Sequence, residues 1–204
     1  MKGFLVFFFF FNLLAAQKVV KKSVVNDAVT SIGIDVENCY RLTLETADTD
    51  EMFVEAIIDG EYKKDLLLSV KENGSAIMVS SGFQPNFKNP NDKLSAHKVV
   101  SIALKVIVPR FKFITVFGTS CNVFVAGDYK ELTVSLNDGN CELFNVHEDI
   151  NVRTQSGHIL VEALKGNVNA VSKYGAVNKD DIPMGDAQYT LSSLTGNIRI
   201  KKTE

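Results

Sequence analysis

Past residue 17, the sequence nowhere sustains the 3.6-residue apolar period of an amphipathic helix, and this excludes helical bundles and α/β folds. Charge of one sign is missing too. With 22 Lys and Arg against 24 Asp and Glu, the formal net charge is −2, and no basic stripe stands out, which argues against a nucleic-acid partner. No second long apolar run follows the first, so no membrane span is expected once the N-terminal segment is removed. Cysteine is scarce. Three residues, Cys39, Cys121 and Cys141, are an odd number, so at least one thiol of a monomer stays unpaired. Catalytic signatures are lacking as well: there is no Gly-x-Ser-x-Gly elbow, no phosphate loop and no calcium-binding nonapeptide. His97, His147 and His158 have no metal-type spacing with one another or with the cysteines, so neither a metal nor a cofactor is expected.

A beat of eighteen residues fills the second half. Gly139, Gly157 and Gly175 mark it, with Cys121 in the same slot one step upstream. Seven residues before each glycine stand Leu132, Ile150 and Val168; five before, Val134, Val152 and Ala170; two after, Cys141, Ile159 and Val177. Ile114, Val116, Val123 and Val125 continue the frame upstream. Tyr189, Leu191, Ile198 and Ile200 continue it around Gly196, after about three extra residues. Within a unit such as Asp149-Ile150-Asn151-Val152-Arg153, apolar and polar residues alternate, which predicts a strand with one buried face. Thr154-Gln155-Ser156-Gly157 then predicts a turn, with glycine free to take positive φ. Ile150, Val152, Ile159 and Val161 are expected inside, Asn151 and Arg153 outside. One unit cannot offset the entropy of ordering itself, so the units are expected to stack in sequence order. Stacking makes columns: Asn122, Asn140, His158, Ala176, Asn197 one residue after the glycine, and Thr115, Thr133, Asn151, Asn169, Thr190 six before it. Asparagines in register can form amide ladders.

The stretch 18–110 is β-rich but off the beat. Leu42 and Leu44 alternate with Arg41, Thr43 and Glu45, with Tyr40 on the Leu face. Phe53-Val54-Glu55-Ala56-Ile57 reads as the partner strand across a turn at 46–51. Asn73-Gly74 between two apolar runs predicts a hairpin. Residues 80–93 read as a loop, and 99–108 as a long strand closed by Pro109. The expected architecture is all-β: a β-helix- or solenoid-like stack of ~18-residue coils over 111–204, begun or capped by the longer strands and hairpins of 18–110.

Residues 1–17 have the form of a secretory signal peptide: Lys2, an apolar run broken only by Asn12, and Ala15-Ala16-Gln17 at the end. No cysteine follows at once to carry a lipid. The expectation is an exported chain, periplasmic, cell-surface or secreted.

Three features together resemble a known family. They are the segment Ile34-Asp35-Val36-Glu37-Asn38-Cys39-Tyr40-Arg41-Leu42-Thr43-Leu44, the strand end Val106-Ile107-Val108-Pro109, and the coils 152–161 and 191–200 of form Val-x-x-x-Ser-Gly-x-Ile-x-Val. The sequence is similar in these to the bacterial exported β-strand-repeat putative adhesins of the head GIN domain type, over nearly all of 20–204. The resemblance implies a right-handed β-helix-like fold and a role at the cell envelope. It supplies no catalytic residues.

What remains for a site is modest. Asp180, Asp181 and Asp186 lie in the insertion 179–186, which also carries Pro183 and Gly185, with Tyr174 as an aromatic neighbour. Paired carboxylates can bind a cation or act as acid and base, while a solvated Asp-, Pro- and Gly-rich turn is the plainer reading. The four residues form a candidate contact loop. The functional expectation is a non-catalytic envelope or surface protein that binds a glycan or another surface protein. The alternative is a β-helix polysaccharide lyase or hydrolase. Against it, the outer column Phe117, Ser135, Arg153, Val171, Ser192 holds no acid cluster. An ice- or crystal-surface binder would need two unbroken Thr-like columns, and that same column breaks one of them.

Overall fold

The computed structural model describes residues 17–26, 28–60, 63–84, 86–87 and 100–203. The segment read as a signal peptide, His97 and half of the loop read at 80–93 lie outside the described residues, while 80–83, read as part of that loop, continue a strand instead. Among those described, every regular element is a strand: β1 (Lys18–Val25), β2 (Ser31–Asp35), β3 (Arg41–Ala47), β4 (Glu51–Gly60), β5 (Leu66–Asn73), β6 (Ala76–Phe83), β7 (Val100–Pro109), β8 (Phe113–Gly118), β9 (Asn122–Leu136), β10 (Cys141–Thr154), β11 (Ile159–Ala163), β12 (Asn167–Ser172), β13 (Val177–Lys179), β14 (Gln188–Ser193) and β15 (Ile198–Lys202). They form one fifteen-stranded sheet that does not close.

The sheet has two arms because β9 and β10 are long and belong to both. One arm runs β5, β6, β2, β8, the end of β9, the end of β10, β14, β12. The other runs β1, β4, β7, β3, the start of β9, the start of β10, β11, β15, β13. The alternating apolar residues of both arms meet in one core, from Ile32, Leu42 and Leu104 to Leu191, Ile198 and Ile200. Ile150, Val152, Ile159 and Val161 are buried and Arg153 is exposed, as the alternation predicts; Asn151 is half-buried.

The eighteen-residue beat is the register of parallel pairing. Ile114 faces Leu132, Leu132 faces Ile150, Val123 faces Cys141 and Cys141 faces Ile159. We call each pair of strands at one level a rung. Rung one is β2 with β3, rung two is β8 with the start of β9, rung three is the end of β9 with the start of β10, and rung four is the end of β10 with β11. The order then departs from the sequence. Ile150 faces Tyr189, and Tyr189 faces Val168. Ile159 faces Ile198, and Ile198 faces Val177. The C-terminal strands β14 and β15 are therefore rung five, and β12 with β13, earlier in the chain, is the outermost rung six. This corrects the expected sequential stack, and it has a physical cause in the side chains. The inward slot of β13 that matches Val161 holds Lys179, which only an edge leaves in solvent. In consequence Val168 and Ala170 are only partly covered and Val177 is 41% exposed, although all three hold inward slots.

The column after the glycine carries the same order. The backbone N–H of Asn140 donates to Asn122 Oδ1, that of His158 to Asn140 Oδ1 (2.8 Å), that of Asn197 to His158 Nδ1 (2.9 Å) and that of Ala176 to Asn197 Oδ1 (2.9 Å). Each side chain thus accepts from the next rung's backbone. Alanine has no acceptor to offer, and Ala176 sits where no further rung asks for one.

The recurring glycines do not serve positive φ; none of Gly139, Gly157, Gly175 and Gly196 adopts it. They serve close approach. A Cβ on Gly157 would lie 1.8 Å from the carbonyl oxygen of Gly139, one on Gly196 2.0 Å from that of Gly157, and one on Gly139 2.0 Å from that of Cys121. Cys121 can occupy the slot because in rung two the tight contact falls instead at Gly118, against Val36. Beneath these turns runs a buried hydroxyl column: Thr154 Oγ1 donates to the Gly157 carbonyl (2.6 Å), and Ser193 Oγ accepts from the Gly196 N–H (2.9 Å).

In the N-terminal half, the Asn73-Gly74 signal holds. β5 and β6 are antiparallel around a two-residue turn, with Gly74 at φ +60°. The β3–β4 hairpin does not form, because β7 lies between them, parallel to β3 and antiparallel to β4. The 46–51 segment is a connection across one strand rather than a hairpin turn. Tyr40, expected on the Leu42 face, is 52% exposed at the strand's approach. All three cysteines are free and buried, Cys141 between Val123 and Ile159 as its column predicts.

Candidate functional site

β9 and β10 pass from one arm to the other through two irregular bends, and these bends build a hollow lined mostly by charged and polar side chains. In β9, Gly127 turns the chain at φ +116°, where a Cβ would meet Thr46 Oγ1; that hydroxyl accepts the Asp128 N–H at 3.0 Å. Tyr129, fully buried, points its hydroxyl back to the Ala126 carbonyl (2.9 Å). In β10 the register slips between Phe144 and Val146 and again between His147 and Asp149, and Asn145 and Glu148 take positive φ. Tyr189 of rung five donates its hydroxyl to the Val146 carbonyl and so pins this bend. The third non-glycine residue of positive φ among the described residues, Phe111, sits in the neighbouring turn between β7 and β8. All three such residues gather on the side of the stack where one rung passes to the next, and two of them, Phe111 and Glu148, line the hollow.

The hollow, of about 280 Å³, is lined by Phe111, Asp128, His147, Glu148, Lys165, Asp186 and Ala187. His147 Nδ1 donates to Asp128 Oδ1 at 2.8 Å, and Arg110 Nε approaches Asp128 Oδ2 at 3.5 Å. The pair is about half-exposed, so its worth to stability is small, ~0–1 kcal/mol. Its consequence is orientation: with Nδ1 committed to Asp128, the other ring nitrogen is left to a ligand. Among the described residues no hydroxyl or thiol is bonded to His147, so the pair lacks the nucleophile of a hydrolytic triad. Glu148 and Asp186 have no ion-pair or side-chain hydrogen-bond partner among the described residues. Acceptor carboxylates, an imidazole, an ammonium and an exposed aromatic ring around one small hollow can bind polar groups, and a hydroxyl-rich molecule suits them.

Of the four residues in the candidate contact loop, Asp186 alone lies at this hollow. Asp180 is held at the far side of the loop, its N–H on the Ile200 carbonyl and its Oδ2 accepting from the Lys202 N–H. Asp181 is exposed. Tyr174, 70% exposed, belongs to the turn between β12 and β13, with Lys173 Nζ 5.0 Å from its ring centre. The loop itself is built in: Ile182 is buried, Gly166 N–H donates to the Pro183 carbonyl, and Asn167 Nδ2 donates to that of Gly185. Sequence reasoning missed Asp128, His147, Glu148 and Phe111 as a group. The interruption of alternation at Asn145-Val146-His147-Glu148 was the available signal, since two polar residues in a row mark a bulge.

A larger, shallower groove of about 560 Å³ lies on the outer face of the first arm, where Gly33 leaves a gap between Met78 and Thr115 and Phe113 and Phe117 stand beside it, each 38% exposed. Among the described residues no three His, Cys, Asp or Glu side chains group as a metal site, and no helix is long and apolar enough to cross a membrane.

No protein-family model and no curated protein matches the sequence. The fold is similar to that of a putative cell adhesion protein from Clostridium sporogenes, with a TM-score of 0.68 and 16% identity over 92% of this chain and 100% of that one. Solved structures of putative adhesins from Bacteroides fragilis (TM-score 0.36, 12% identity, 92% and 99% covered) and Parabacteroides merdae (0.31, 13%, 90% and 96%) overlap too loosely to carry an argument. At such identities the first likeness shows the fold alone. The class of protein so defined is an all-β chain with a single open sheet whose inner strands pair in parallel.

Proposed function

We propose that the protein is a non-catalytic, exported envelope or surface protein with an adhesin-like binding role, whose rungs wind as a solenoid. The observation that carries the reading is the fold likeness over the whole length of the putative cell adhesion protein from Clostridium sporogenes. The three-part sequence resemblance to exported adhesins of the head GIN domain type and the apolar leader at 1–17 support it independently. The contact site is the hollow at the bends, and the ligand is a glycan presenting hydroxyl groups to Glu148, Asp186 and His147 beside Phe111. The test is a glycan array with the purified chain lacking residues 1–17, run beside a Glu148→Ala/Asp186→Ala variant. Both carboxylates are exposed and unpartnered, so the variant is expected to fold as wild type does. Reproducible binding that falls tenfold or more in the variant is the expected result. Binding that survives the double substitution moves the site elsewhere, and turnover of a bound glycan converts the reading to a polysaccharide-active enzyme.

A further inference from the structure

The out-of-order rung has a consequence for how the sheet is completed. β14 is bonded on one side to β10 and on the other to β12, and β15 likewise lies between β11 and β13. Rungs four and six therefore stand two strand spacings apart, near 9.5 Å, held by a segment that comes last in the chain. Until that segment enters, the edge of rung four is free, with Ile150, Val152, Ile159 and Val161 uncovered on one side. Such an edge is a template for pairing with other chains.

Three features show what can cover it. The connection from Val161 to Val168 has the same length as those from Val125 to Leu132 and from Leu143 to Ile150, seven positions in each case. The latter two each step one rung; only the first is asked to step two. Next, 168–179 keeps the eighteen-residue frame, so Val168, Ala170 and Val177 match Ile150, Val152 and Ile159 in register. Last, 168–179 has the chemistry of an end wherever it sits. Lys179 fills an inward slot and Ala176 offers no acceptor, whereas 188–202 brings Tyr189, Leu191, Ile198 and Ile200, all buried, and Asn197 to extend the ladder. The return connection, from Lys179 to Tyr189, is ten positions long, and its three extra residues accompany the backward step across one rung.

We propose that 168–179 is a movable cap. It pairs directly with rung four while 188–202 is outside the sheet, and 188–202 then displaces it outward by one rung, so that folding ends in a strand displacement driven by the better-filled core of the incoming rung.

Disulfide trapping in the full chain tests this. In the finished fold His158 and Ala176 are separated by Asn197, beyond the Cα distance a disulfide spans, whereas in the capped intermediate they are neighbours. A chain carrying His158→Cys and Ala176→Cys is refolded with oxidant present from the start, and in parallel oxidised only after folding. Peptide mapping separates the new bridge from any involving Cys39, Cys121 or Cys141. A second chain with Asn151→Cys and Asn169→Cys repeats the test on the other arm, where Thr190 intervenes, in case the first pair does not fold. An Asn140→Cys/Asn197→Cys chain, two rungs apart in the finished fold and never adjacent, measures random collapse. The expected result is a 158–176 or 151–169 bridge roughly tenfold above that control during refolding and absent from the folded chain. Yields of both test bridges no higher than that of the single control would overturn the cap. A bridge formed readily in the folded chain would overturn the rung order on which it rests.

Discussion

The two ends of the sheet solve the edge problem in opposite ways. At the N-terminal end, rung one is covered by two more parallel strands, β7 on one arm and β6 on the other, and pairing turns antiparallel beyond them, from β7 to β4 to β1 and from β6 to β5. The outermost of these, β1, carries Lys18, Lys21 and Lys22, with Lys21 paired to Glu55 at 3.0 Å. Lysines on an edge strand discourage a further strand from pairing. At the other end β12 has no charged residue, and β13 is three residues long with Lys179 last. That end relies on shortness, on a charge in an inward slot and on a ladder that stops at alanine. The lesson is that a repeat does not have to be terminated by a different structure. A degenerate copy of the repeat, placed last in space though not in sequence, is enough.

Buried charge separates the two regions most sharply. Ile198→Asp, in the inserted rung, is expected to cost about 4 kcal/mol or more, because an unpaired carboxylate would sit where nothing is exposed. Val177→Asp faces the same side of the sheet one rung outward and is expected to cost under ~1 kcal/mol, since the position already meets water. Urea melts of the two variants check this, and equal losses would contradict the rung order.

A smaller effect separates the two regions by pH. Burial pushes the Cys39 thiol, at the turn between β2 and β3, up from 9.0 to about 11, and the Tyr189 hydroxyl, in the inserted rung, from 10.0 to about 12. Burial also raises Cys121 and Cys141. A group that ionises later in the folded than in the unfolded chain stabilises the fold fully below its unfolded value. That contribution is lost as pH rises through the folded one. Stability is therefore expected to hold up to pH 9 and to fall between 9 and 12, by of order 1–3 kcal/mol each for Cys39 and Tyr189, with the melting temperature falling in step. Thiol alkylation during the same titration should modify Cys39 before Cys121 and Cys141. Simultaneous reaction of all three would mean that the whole sheet opens at once.

The smallest effect is in the ladder. His158→Asn keeps an acceptor for the Asn197 N–H and is expected to be silent, while His158→Leu removes it at a cost of about 1 kcal/mol. Thermal melts of the two variants give the difference directly. Ala176→Asn, at the edge, has no next rung to serve and should change little.

Much of this was legible in the residues. Alternation at Ile150, Val152, Ile159 and Val161 identifies the inward face because a pleated strand turns successive side chains to opposite sides. The eighteen-residue spacing gives the parallel register, and Asn73-Gly74 gives its hairpin. The candidate site was legible only in part. Asp186 was found through its insertion, but Asp128 and His147 lie nineteen positions apart on two different bends, and nothing local pairs them.

The residues alone dictate which faces are buried and the register that any two repeats adopt. These follow from side-chain period and spacing, which are local properties. Which repeat lies beside which is settled in three dimensions. Tyr189 and Val168 stand in equivalent slots and either can face Ile150, so the choice falls to whole-rung quantities: how much apolar surface a rung buries on both sides, and whether a Lys179 can reach water. The same holds for β7 between β3 and β4, and for the hollow at the bends. Strand pairing is a contest between segments distant in sequence, and its outcome rests on the completed core, not on any one stretch of chain.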